Sequence, residues 1–298
     1  MKQKVVIFAN CQSVAIGKTL QESEVFNMSY EWVVIPSVHT LNSESKIQHL
    51  IQSVMAADVF IYQEVDNPSW PSQLKSKYLV DLLKPNCKAI SIPSMYFDGY
   101  FPHLATMQGR TGPLNKVHDY FIAAGFVCEM SQSQVKDMIL SENLYSSSVA
   151  RQYVDRSLLE LERREVHLDV KISAYIREHY QKRKLFNQFN HPKREVIEYV
   201  CSEILTQLGA TEHVFDSDKV GYLDGIRTPI YPSTIQRLEL QFDEQEQYRS
   251  VGGFLTLEEV IEGFFNVYIE MNHKWLKNFI QDNKPFVLKA VNQYLTGK

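Results

Sequence analysis

Four short apolar runs in the first hundred residues, each set off by a stretch of helical periodicity, constrain the fold more than any other feature of the chain. Val5–Ala9 is continuous and apolar, the pattern of a strand buried on both faces. Glu31–Val38 (EWVVIPSV), Asp58–Val65 (DVFIYQEV) and Lys88–Met95 (KAISIPSM) follow as further strands. Helices are expected over 14–22, 44–56 and 72–83. In the second, Ile47, Leu50, Ile51, Val54 and Met55 form one stripe; in the third, Leu74, Tyr78, Leu79, Leu82 and Leu83 do so. Strands separated by single helices require right-handed crossovers. The expected class is therefore α/β, an open, mainly parallel sheet flanked by helices, with an added mostly helical region.

That helical region is 131–183, whose Leu158–Val170 section carries Glu and Arg at helical spacing. Leu185–Asn190 (LFNQFN) reads as one more strand running into Pro192, a residue suited to a first helical turn. Val196, Ile197, Val200, Cys201, Ile204, Leu205 and Leu208 then mark an amphipathic helix over 192–208, with Gly209 as its stop. Residues 211–250 read as irregular, and 256–295 as helix. The expected organisation is 1–130 as the first part of the α/β core, 131–183 as a helical insertion or cap, and 184–298 as the remainder of the core with carboxyl-terminal helices.

A net charge of −4 supplies no basic field for nucleic acid. The four cysteines, Cys11, Cys87, Cys128 and Cys201, are far apart and without CxxC spacing, which suits reduced thiols in the cytoplasm better than a disulfide framework or zinc site. The start, Met1-Lys2-Gln3-Lys4, lacks the pattern of a signal peptide, and no apolar run is of membrane-spanning length. Neither GxxxxGK[ST], GxGxxG nor HExxH occurs, so a P-loop, a standard dinucleotide site and a metal centre are not expected.

Asn10-Cys11-Gln12-Ser13 sits where the first strand gives way to a helix, the place where open α/β folds bind ligands. A helix amino terminus favours thiolate, which makes Cys11 a candidate nucleophile. Backbone amides around it, or the side chains of Asn10 and Gln12, are candidate oxyanion donors. The alternative is a small buried thiol filling space beneath the sheet. Asn190-His191-Pro192 likewise ends an expected strand and opens a helix, so His191 is a candidate general base, with a helix-capping role as the alternative. The loop after the fourth strand, from Pro93 to His103, offers Tyr96, Tyr100 and His103 around Asp98-Gly99 as a surface for a planar or sugar-like ligand, or else is a packed connection. Arg110, Lys116, Arg151, Lys182 and Arg183 are candidate phosphate partners; each alone is equally a solvated charge.

With Asn10-Cys11-Gln12, the aromatic Pro93–Pro102 loop, Asn190-His191-Pro192 and Arg227-Thr228-Pro229-Ile230-Tyr231-Pro232 in one order, the chain resembles the WcbI-type polysaccharide biosynthesis enzymes. That family looks like a relative of the SGNH hydrolases and bacterial O-acetyltransferases, with cysteine where those use serine. The resemblance implies an SGNH- or flavodoxin-like sheet, coenzyme A or acetyl-CoA as co-substrate, and acetyl transfer to a hydroxyl during capsular polysaccharide assembly. Carried over, Cys11 would take the nucleophile position and His191 the base position. Beside them, Asn10, Gln12, Asn190, Tyr96, Tyr100 and His103 are the candidates for the oxyanion and substrate, and Ser13 and the five basic residues the candidates for the coenzyme. A carbohydrate esterase and a non-catalytic coenzyme A- or glycan-binding subunit are the other readings, and a homo-oligomer is compatible with all three. Two departures stand out. Ala9 replaces a frequent glycine, and Gln188 lies where the SGNH relatives place an aspartate three residues before histidine.

Overall fold

Val5, Val6, Ile7 and Phe8 are all buried in β1 (Gln3–Phe8), the strand that carries the centre of the sheet. In the computed structural model, which describes residues 1–210, 214–215, 219–243 and 247–297, α1 (Gln12–Leu20), α2 (Glu24–Ser29) and β2 (Tyr30–Val33) follow. Next come α3 (Glu44–Ala56), β3 (Val59–Gln63), α4 (Ser76–Asp81) and β4 (Lys88–Ile92). The four strands form one parallel sheet in the order β2-β1-β3-β4, with Val5 opposite both Trp32 and Val59, and Ile61 opposite Ile90. The order reverses between β1 and β3, so the loops leaving these two strands flank a topological switch point.

Prolines set several of the strand ends. The run expected over Glu31–Val38 stops at Val33, since Pro36 has no N–H for a ladder; Val38–Thr40 instead forms a 3-10 turn whose Val38 N–H donates to the Ala9 carbonyl at 3.0 Å. The fourth strand stops at Ile92, immediately before Pro93. Helix α3 has the bounds expected from its stripe, with Ile47, Leu50 and Val54 buried. The third helix is shorter than expected, a 3-10 turn over Ser72–Leu74 followed by α4.

Along the rest of the chain, β5 (Leu104–Thr106) and β6 (Val117–Asp119) pair antiparallel. Helices α5 (Tyr120–Val127), α6 (Gln132–Ile139), α7 (Ser147–Glu165) and α8 (Ser173–His179) then bear out the helical texture. The asparagine-rich strand is a correction. β7 (Phe186–Gln188) pairs only with β8 (His191–Pro192), in a two-stranded sheet of its own, because the chain doubles back within two residues. Pro192 therefore lies in a strand, and Lys193 caps α9 (Arg194–Gln207). α10 (Pro232–Leu238) interrupts the stretch read as irregular, part of which, at 211–213, 216–218 and 244–246, lies outside the described residues. A hairpin of β9 (Tyr248–Ser250) and β10 (Gly253–Leu255) leads to α11 (Leu257–Tyr268), α12 (His273–Asn283) and α13 (Pro285–Thr296).

The chain divides into two compact units. The first comprises Met1–Tyr96, Leu159–Glu178 and Pro192–Leu223; the second comprises Phe97–Leu158, His179–His191 and Asp224–Lys298. Residues 131–183 are thus shared, with one boundary inside α7 and a second at the end of α8. In the first unit α9 packs on α1: Arg194 pairs with Glu22 and Glu198, and the Cys201 thiol donates to the Ile16 carbonyl at 3.6 Å. In the second, α5 is apolar all round and buried, surrounded by α11, α12 and α13. Asp119 caps α5 by accepting from the Phe121 and Ile122 N–H groups. Among the described residues no helix is long and apolar enough to cross a membrane.

Candidate functional site

The turn between β1 and α1 is held by side-chain amides. Asn10 donates its backbone N–H to Gln63 Oε1 at 3.0 Å, and its Oδ1 accepts the Gln12 N–H at 2.9 Å. Its Nδ2 donates to Ser94 Oγ at 3.2 Å. Gln12, wholly buried, donates from Nε2 to the Met95 carbonyl at 2.7 Å, while its Oε1 accepts from Gln63 Nε2 at 2.8 Å and from the Met95 N–H at 3.1 Å. Gln63 Nε2 also reaches the Pro93 carbonyl at 3.2 Å. The loops leaving β1, β3 and β4 are therefore laced together at the carboxyl edge of the sheet. Cys11 occupies the middle of this frame as the cap residue of α1.

Two expectations change here. Burial pushes the Cys11 thiol above its ordinary range, and a hydrogen bond from its own backbone N–H offsets this only in part. Desolvation of the charged form is the larger of the two effects and favours thiol over thiolate at Cys11. The backbone N–H of Gln12 is engaged by Asn10 and its side chain binds Gln63 and Met95, so its amide serves the frame of the turn. Ser13 is buried, and its Oγ has no hydrogen-bond partner among the described residues. Asn10 remains half-buried beside Cys11.

In the second unit the expected ligand loop is core. Tyr100 is fully buried and donates its hydroxyl to the Tyr180 carbonyl, and to that of Arg183 at 3.0 Å. His103 is fully buried and stacked on Tyr231, ring centroids 3.8 Å apart, with Nε2 3.6 Å from Asp119 Oδ2. Burial holds its imidazole neutral. Asp98 pairs with Arg156. These residues pack rather than present a surface. Tyr96, at the end of the first unit, is half-buried. Asn190 and His191 are half-buried too; His191 Nδ1 has no hydrogen-bond partner among the described residues, and desolvation lowers this imidazole to about 4. The basic candidates Arg110, Lys116, Arg151, Lys182 and Arg183 are all exposed and all belong to the second unit. Cys11 belongs to the first unit and His191 to the second.

A family model described as the polysaccharide biosynthesis enzyme WcbI matches residues 4–213. The chain belongs to the WcbI family. No curated protein matches it. One solved structure is similar over 99% of both chains, with a TM-score of 0.88 at 21% identity. It is described as WcbI, a novel polysaccharide biosynthesis enzyme, in a native form without a disulfide bond between coenzyme A and a cysteine of that protein. At this identity the likeness shows the fold.

Seen as a family member, the chain makes structural sense of both departures. Ala9 is buried and places its carbonyl on Val38, so a methyl group is accommodated at the end of β1. Gln188 donates its amide to Thr228 Oγ1 at 3.2 Å, a structural tie to the segment whose Thr228 N–H also donates to the Asn187 carbonyl at 2.9 Å. Gln63 and Ser94 were not found from sequence, though both build the Cys11 frame. A polar residue ending an apolar run, as Gln63 does after Val59-Phe60-Ile61-Tyr62, was the available signal. Asp119 and Tyr231 were missed likewise. Tyr231 donates its hydroxyl to Asp119, which burial nonetheless raises to about 6. Among the described residues no group of three His, Cys, Asp or Glu could hold a metal ion.

Proposed function

We propose that the protein is an acyl-CoA-dependent O-acyltransferase, transferring an acetyl group to a hydroxyl of a capsular or other surface polysaccharide or its precursor. The observation that carries this reading is the Cys11 turn. A protonated, partly accessible thiol stands at the switch point of the sheet, fixed by the Asn10–Gln63–Gln12–Met95 amide frame. The description of the similar structure, which names a coenzyme A–cysteine disulfide as absent from that form, supports coenzyme A as the co-substrate here. The thiol has the chemistry to lie against a pantetheine sulfur, and Asn10 offers an amide beside it.

Direct transfer fits this chain better than an acyl-cysteine. A nucleophilic cysteine needs thiolate character, whereas oxyanion donors are needed by either route. Burial works against the first by pushing the Cys11 thiol up. In the direct route the acceptor oxygen forms the new bond to the acyl carbon as its proton goes to a base, the carbon–sulfur bond breaks, and coenzyme A leaves as a thiolate that takes that proton from the base. His191 is assigned that role on its own chemistry, as a neutral imidazole with an unpartnered Nδ1. Arg110, Lys116, Arg151, Lys182 and Arg183 are the proposed phosphate partners, the cytoplasm the proposed setting.

Calorimetric titration of the full chain with coenzyme A tests the reading, and saturable binding is expected. Intact mass after mixing with acetyl-CoA is expected to show no acetyl adduct on Cys11. A stoichiometric adduct absent from Cys11→Ser would replace the direct route with the covalent one. Acetyl transfer that survived His191→Ala unchanged would remove the base assignment.

A further inference from the structure

The first unit holds a cleft of about 300 Å3 between the 3-10 turn Val38–Thr40, the start of α3 and the loop that follows β3. This is within the range of small-molecule pockets. It adjoins the Cys11 turn through the backbone, since the Val38 N–H is bonded to the carbonyl of Ala9, two residues before Cys11. It also lies beyond the carboxyl ends of the strands, where open α/β sheets bind ligands.

The lining has two characters. Leu41, Ile47 and Leu74 are buried and give an apolar floor, and the half-buried ring of Trp70 packs against the same core cluster. Trp70 is held by a turn in which its N–H donates to the Asn67 carbonyl at 3.1 Å and the Ser69 N–H to Asn67 Oδ1 at 2.9 Å. The rim is polar and exposed: Asn42 accepts from Lys46 Nζ at Oδ1 (3.2 Å) and keeps its Nδ2 amide, and Glu44 accepts from Gln48 Nε2 at Oε1 (2.7 Å) and keeps its second oxygen. Among the described residues the lining itself holds no lysine or arginine.

We infer that this cleft binds a neutral pyranose ring of the carbohydrate acceptor, stacked on Trp70 and hydrogen-bonded through its hydroxyls to Asn42 and Glu44. The inference rests on the acyl-transfer reading for the word acceptor. A pyranose has an apolar C–H face and a rim of hydroxyls, which matches an indole floor and a polar lip. The phosphates of a coenzyme would meet the Glu44 carboxylate, and the cation at this rim, Lys46, is already engaged by the Thr40 carbonyl and Asn42 Oδ1. A bare acyl chain would strip water from Asn42 and Glu44 and return no hydrogen bonds.

Saturation-transfer NMR on the full chain, with the methyl α-pyranosides of glucose, galactose and mannose as probes, tests the assignment. At least one is expected to show transfer to its ring C–H protons, with affinity about tenfold weaker in Trp70→Ala. Trp70→Ala removes a partly buried ring, so Asn42→Ala, at an exposed position, is measured beside it and is expected to weaken the same sugar. Coenzyme A affinity is expected to be unchanged in both variants. Absence of transfer from all three sugars, equal affinity in wild type and variants, or displacement of the sugar by coenzyme A would each overturn the cleft assignment. Failure of coenzyme A to bind the wild type would instead overturn the acyl-transfer reading, leaving the sugar response to decide the cleft alone.

Discussion

Gln12 and Gln63 lie amide to amide at the edge of the sheet, Gln63 Nε2 donating to Gln12 Oε1 at 2.8 Å with both side chains buried. Each also serves backbone groups of the loop after β4, and Gln63 takes the Asn10 N–H besides. Gln12→Leu leaves the Met95 N–H and carbonyl and one side of Gln63 without partners. A cost of about 2–4 kcal/mol is expected from orphaning such buried groups. Because the two residues share a network, Gln12→Leu/Gln63→Leu should cost less than the sum of the single changes. Urea denaturation of the four proteins measures this; strict additivity would mean that the two amides are not coupled.

A glycine fixes the contact between α1 and β2. A Cβ at Gly17 would lie 2.3 Å from Trp32 Cε2, well inside van der Waals contact. Gly17→Ala must therefore push the indole aside, at an expected cost of about 1–3 kcal/mol for overpacking, despite the better helix propensity of alanine. Gly17→Ala/Trp32→Leu should recover part of the loss. Thermal denaturation of both variants tests it, and a neutral or stabilising Gly17→Ala would show that α1 has room to shift.

Much of this fold was legible because the first four strands are short apolar runs with little competing periodicity, and α3 carries an unambiguous stripe. Leu185–Asn190 misled because a short buried run looks alike in a central strand and in a two-residue return such as β7–β8. The position of Cys11 was legible from the strand-to-helix junction, but its charge state was not. Desolvation depends on residues distant in sequence, and here it pushes the thiol up. Tyr100 and His103 left two readings open for a related reason: aromatic residues around Asp98-Gly99 describe a stacking surface and a packed core equally well, and burial favours the packed one. Gln63 is 51 residues from Gln12, a pairing that no local pattern announces.

The thiol state of Cys11 sets its chemical reactivity. Alkylation by iodoacetamide follows thiolate fraction, so Cys11 is expected to react more slowly than glutathione at pH 8 and to accelerate as pH rises past 9. Cys201, fully buried and raised further, should stay unmodified in the native protein. Site-resolved mass spectrometry over a pH series checks both. Rapid alkylation of Cys11 near pH 7 would mean that the helix end prevails over burial, and would restore the covalent route to acyl transfer.

His191 gives the protein an acid-sensitive element. Burial lowers its imidazole to about 4 in the folded state, whereas the unfolded chain takes the proton near 6.5. Between those values the unfolded state binds more protons, so stability is whole above pH 6.5 and falls as the pH drops toward 4. The full shift corresponds to at most about 3 kcal/mol. His103, also held neutral by burial, acts in the same direction. Asp119 opposes them: raised to about 6, it favours the folded state increasingly as the pH falls from 6 toward its unfolded value of 3.8. The contribution of His191 is therefore isolated by difference. His191→Asn should lose less stability than wild type between pH 6.5 and 4.5 while matching its slope above pH 7, as read from urea midpoints across the series. Parallel curves for the two proteins would mean that this imidazole takes up its proton freely in the folded state, and would make it a stronger base than its burial implies.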